Sequence, residues 1–89
     1  MVTDDRKTAN VIKRIDYEAF STKIANVICF CKECDPTGEG GHGGYLGSSE
    51  YAVTNDEVKA RYSEFTRFCP TCGRIINWDN IEERENYLC

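Results

Sequence analysis

The sequence predicts a small α+β domain, with an N-terminal helix packed on a short antiparallel sheet and two paired-cysteine turns clamping the halves together. Three observations predict it: a chain of 89 residues, apolar residues at helical spacing in its first third, and two Cys-x2-Cys pairs placed one in each half. A chain of this length fits one domain, taken as 1–89. It buries only a modest core and gains from a covalent or metal staple. Hydrophobic residues make up 40%, a globular rather than a disordered composition.

The elements follow in chain order. Residues 1–10 are polar and expected to be loose. Phe20, Ile24, Val27 and Ile28 recur at i, i+4, i+7 and i+8, with Asp16 placed to cap, which predicts a helix over about 17–27. Residues 35–49 read as a flexible loop, because 36–44 alone hold five of the seven glycines. Tyr51-Ala52-Val53-Thr54 reads as a strand. Thr54 stands three before Glu57, a capping-box spacing that opens a short helix at 55–61. The aromatic-rich stretch 63–68 and the run 74–78 read as strands. The acidic tail, with Asp79, Glu82, Glu83 and Glu85, reads as a solvated helix face or a frayed end within a loose 80–89.

The chemistry lies in the cysteines. Cys31-Lys32-Glu33-Cys34 and Cys69-Pro70-Thr71-Cys72 share one spacing. That spacing lets a tight turn aim two sulfurs at one ion, and two such turns complete a tetrahedral zinc set. Pro70 fixes a backbone angle inside the second turn, and Gly73 supplies the left-handed residue that commonly follows. The expected ligands are therefore Cys31, Cys34, Cys69 and Cys72, holding one structural Zn2+ per chain. The separation between Cys34 and Cys69 is longer than in compact zinc sites. Cys29 reads as a small buried hydrophobe and Cys89 as an exposed terminal thiol. His42, the one histidine, reads as an exposed loop residue and not as a ligand.

Phe68-Cys69-Pro70-Thr71-Cys72-Gly73-Arg74 resembles the zinc knuckle of zinc-ribbon and rubredoxin-like proteins. The first turn departs from that pattern, with Asp35 where glycine is usual. The resemblance implies a zinc-ribbon-like fold and a docking role toward protein or nucleic acid. It also implies, as a further alternative, a rubredoxin-like iron electron carrier. The small, acidic, metal-stapled chain is similar in general appearance to accessory proteins of phage and mobile elements.

The function classes narrow by exclusion. A closed four-thiolate site leaves no position for substrate, and no His-x-Glu element precedes Cys69, so an enzyme is not expected. The charge, 11 basic against 15 acidic residues for a net −4, disfavours nucleic acid and anionic membrane. Another protein is the expected partner, with the chain acting as an adaptor or inhibitor module. A nucleic-acid-binding zinc ribbon is the alternative, if Lys59, Arg61, Arg67 and Arg74 share one face beside the aromatic residues. No stretch of the sequence has the length and apolarity of a membrane helix, and the acidic start lacks the form of a secretory signal. The expected location is the cytoplasm, where paired cysteines serve as metal ligands rather than disulfides.

Overall fold

The computed structural model describes residues 8–19 and 23–87. Five elements follow one another: β1 (Thr8–Tyr17), β2 (Ile24–Cys31), β3 (Tyr45–Ser49), α1 (Asn55–Tyr62) and β4 (Ile75–Tyr87). The strands form one sheet in the order β3-β2-β1-β4. β2 runs antiparallel to β1 and to β3, while β4 runs parallel to β1. The class is α+β, but the predicted N-terminal helix and antiparallel sheet are both corrected. The one helix among the described residues comes after three strands, and the sheet is mixed.

The predicted helix over 17–27 fails because both ends of that range lie in strands. Tyr17 closes β1, and Ile24, Val27 and Ile28 lie in β2; Phe20 is outside the described residues. β1 and β2 occupy the centre of the sheet and are covered on both faces. A strand in that position shows near-continuous apolar residues rather than alternation. Ile28-Cys29-Phe30-Cys31 is such a run, and part of it falls by chance on a helical period.

Register sorts the two faces. Val11 stands opposite Cys31, Lys13 opposite Cys29 and Ile15 opposite Val27, all on one face. That face joins Leu46, Val58, Ile76 and Trp78 in the main core. Ile12 opposite Phe30, and Arg14 opposite Ile28, lie on the other face. The glycine-rich segment covers that second face. A Cβ on Gly38 would come within 2.8 Å of Ile12, so the chain passes there only as glycine.

Polar groups inside the sheet are all used. Lys13 is only 2% exposed. Its Nζ donates to the Val53 carbonyl at 2.6 Å and to Asn55 Oδ1 at 2.8 Å, and pairs with Glu83 at 3.1 Å. One buried ammonium thus ties β1 to the start of α1 and to β4. On the opposite face Arg14 pairs with Asp16 and donates to the carbonyls of Gly38 and Glu39. Asn86 of β4 donates to Asp16 at 3.0 Å.

α1 begins as expected. Glu57 N–H donates to the Thr54 hydroxyl, and Thr54 N–H donates back to Glu57 Oε1. Those bonds hold the Glu57 carboxyl below its usual range. Val58 is the one helix residue buried in the core. The predicted strand at 51–54 is a bend, and 63–68 is turn with a single bridge from Phe68 to Ile75. Trp78 anchors that turn: its indole N–H donates to Thr66 O at 2.8 Å, and its ring stacks on Tyr62 at 5.9 Å. The acidic tail belongs to β4. Its pairing with β1 slips by three residues between Ala9 and Val11, then runs from Ile81 to Tyr87.

Candidate metal centre

Each cysteine turn closes on backbone bonds. In the first, Cys34 N–H and Asp35 N–H both donate to Cys31 O, at 3.2 and 2.9 Å. In the second, Gly73 N–H donates to Cys69 O at 2.8 Å, and Cys69 N–H to Arg74 O at 2.8 Å. Gly73 has φ 78°, the left-handed conformation that its position after Cys72 requires. Two N–H groups, of Thr71 and Cys72, point at the Cys69 sulfur at 3.4 and 3.5 Å. Such donors stabilise a thiolate.

The fold brings the two turns together. Cys31 ends β2, and the second turn precedes β4, which pairs with the neighbouring strand β1. The four sulfurs of Cys31, Cys34, Cys69 and Cys72 all lie within 4.8 Å of one another. Cys31 Sγ is 3.8 Å from Cys72 Sγ, and Cys34 Sγ is 3.7 Å from Cys69 Sγ. A tetrahedron with metal–sulfur bonds of about 2.3 Å has edges of about 3.8 Å, so these separations suit a four-thiolate ion and are far from a disulfide. All four are free thiols. The donor set fits one tetrahedral metal ion.

A third segment completes the site. Gly44 O accepts from Cys31 N–H at 2.7 Å, and Gly44 N–H donates to Thr71 Oγ1 at 2.8 Å. The glycine-rich segment is therefore bonded to both turns. Gly44 has φ 75°, and a Cβ there would stand 2.7 Å from Cys34 Cβ. Asp35, the departure from the zinc-knuckle pattern, has its own task. It is fully buried, and its carboxylate accepts from the N–H groups of Gly38, Glu39 and Gly40 at 3.0, 3.2 and 2.7 Å. The sequence marks Asp35 only as a departure from the knuckle pattern and Gly44 only as one of a run of glycines. The available signal was an acidic residue directly before a run of glycines, which offers a carboxylate to several free N–H groups at once.

The four thiols are unlike one another. Burial, together with the neighbouring sulfurs, pushes Cys34 above the usual thiol range, and burial does the same to Cys31. Burial also raises Cys72, but the Arg74 backbone N–H and guanidinium outweigh it and bring the thiol down to about 6. Cys72 is the exposed member of the set. Cys29 lies outside the cluster, fully buried across from Lys13, and burial pushes its thiol up to about 12. His42 is exposed and lies beside Glu39, away from the sulfurs. Cys89 is outside the described residues.

Comparison with protein-family models, with curated proteins and with solved structures returns no match. The family-level resemblance therefore remains confined to the two turns, and the site is argued on its geometry alone. The basic residues that would mark a nucleic-acid face divide among separate partners. Lys59 pairs with Asp79, Arg61 lies over Tyr51 and Tyr62, and Arg74 stands beside Cys72. No helix among the described residues is long and apolar enough to cross a membrane.

Proposed function

We propose that the chain is a non-catalytic protein-binding module folded around one structural zinc, acting as an adaptor or inhibitor in the cytoplasm. One observation carries the reading: the four-sulfur cluster at tetrahedral spacing, with Cys31 and Cys69 buried in the core. Four thiolates fill the coordination sphere of zinc, so no site is left for water or substrate. The metal then acts through the fold, contributing on the order of 10 kcal/mol to a domain of modest core. Function passes to the surface, where an acidic chain whose described lysines and arginines are mostly paired suits a protein partner better than a polyanion.

The test is metal content. Protein purified under reducing conditions without added metal is measured by native mass spectrometry and elemental analysis. One zinc per chain, with loss of the folded circular-dichroism signal on chelation, supports the structural site. One iron per chain transfers the same four sulfurs to an electron carrier. A metal-free chain that melts cooperatively removes the basis of the proposal.

A further inference from the structure

The exposed large hydrophobic residues are not scattered. Of the five among the described residues, four line adjoining hollows: Tyr45, Tyr51, Phe65 and Phe68. They line three shallow hollows that share walls. One, of about 390 Å³, is formed by Tyr45, Phe65, Arg67, Phe68 and Pro70 with Leu46 at its base. The next, of about 560 Å³, shares Leu46, Phe65 and Thr66 and adds Arg61 and Tyr62. The third shares Arg61 and adds Tyr51. Phe65 forms the ridge between the first two and is 85% exposed. Single exposed apolar residues are ordinary, but a connected group of this kind marks a contact surface.

The surface is also held rigid. Tyr62 hydroxyl donates to Ser48 O at 2.6 Å, and Phe65 and Thr66 N–H both donate to Tyr62 O, at 3.1 and 2.8 Å. The ridge is thus fastened to α1 and β3, which lowers the ordering cost of a partner.

Charge identifies what the surface takes. Lys13, Arg14, Lys32, Lys59 and Arg84 each pair with a carboxylate of the chain. Arg61 and Arg67 have no carboxylate partner among the described residues, and both lie in these hollows. Arginine set among exposed aromatic rings is the composition of an interface centre. We infer that this face docks a segment of a partner protein that carries an apolar anchor flanked by acidic side chains. The anchor enters beside Phe65, and the carboxylates meet Arg61 and Arg67. A nucleic acid strand fits less well. Its continuous row of phosphates cannot avoid Glu64 and Glu57, which line the same hollows, whereas a short peptide can place its few carboxylates at Arg61 and Arg67 and turn other side chains toward Glu64 and Glu57.

The inference rests on the protein-binding reading above, and its test separates the two. The zinc-loaded chain is used to select from a displayed library of random dodecapeptides, and the recovered peptides are sequenced and titrated. The expected result is a set rich in aromatic or leucine residues with Asp and Glu. Their affinity should fall at least tenfold for Phe65→Ala and for Arg67→Glu, while both variants keep the wild-type zinc content and melting temperature. Recovered peptides that bind both variants as well as the wild type would overturn this face and leave the protein-binding reading intact. Basic peptides, or no enrichment, would overturn the assigned partner chemistry. Tighter binding of a twelve-nucleotide oligothymidine than of any recovered peptide would overturn both.

Discussion

Gly44 is the residue on which the two cysteine turns and the covering segment meet. A methyl group there would collide with Cys34 Cβ, and its φ of 75° is strained for any side chain. Gly44→Ala is expected to weaken metal retention, seen as faster zinc loss to a colorimetric chelator; unchanged loss would remove Gly44 from the site. Cys69→Ser should prevent folding, because three remaining ligands cannot close the sphere. His42→Ala should leave the metal content as it is, since the imidazole stands apart from the sulfurs. Protons compete with the ion for the same thiols. Cys31 and Cys34 are raised and bind protons at neutral pH, while Cys72, at about 6, does not. Zinc affinity should therefore rise with pH through neutrality, by about tenfold per pH unit for each proton displaced. A flat profile between pH 6 and 8 would contradict the thiolate assignment.

At the scale of elements, Lys13 joins three of them. Replacing it with Met keeps most of the aliphatic stem but removes the ammonium, leaving the Val53 carbonyl and Asn55 amide without their donor. The expected loss is on the order of 2 kcal/mol, read as a lower denaturation midpoint with zinc still bound. The same residue explains why β1 was hard to see in the sequence. Thr8–Tyr17 places Lys13, Arg14 and Asp16 among its apolar residues, and a strand rich in charge carries no period-two signal. The start of β4 reads as a strand at 74–78, but its second half is hidden for the same reason: Glu82 and Glu83 look like tail until their ion pairs with Lys32 and Lys13 are found. What could be read locally was read. The capping box of Thr54 and Glu57 and the cysteine turns with Pro70 and Gly73 depend on neighbours within a few residues. The mixed sheet depends on partners up to about 70 positions away, and no local pattern encodes those.

For the molecule as a whole, the cysteine cluster and the sheet are two separate ways of closing one chain. The cluster brings the end of β2 to the turn before β4, where a bound ion would fasten them. The sheet joins β1 to β4 along Ile81–Tyr87. Removing zinc should therefore leave the β1–β4 pairing without its anchor, and hydrogen exchange should accelerate in both strands rather than at the cysteine turns alone. Exchange confined to the turns would show that the sheet holds without the metal.

The parallel pairing of β1 with β4 sets an order of events during synthesis. Thr8 finds its partner in Ile75 and Tyr17 in Tyr87, so the earliest strand waits for the latest. Both cysteine turns emerge before β4 does. On the proposed metal reading, a nascent chain can capture an ion while one side of β1 is still bare, and that ion would shorten the remaining search from the whole intervening chain to the few residues between Cys72 and Ile75. Contacts of such long sequence separation otherwise form slowly. Zinc supply at the moment of translation would then govern how much of the newly made chain reaches its folded state.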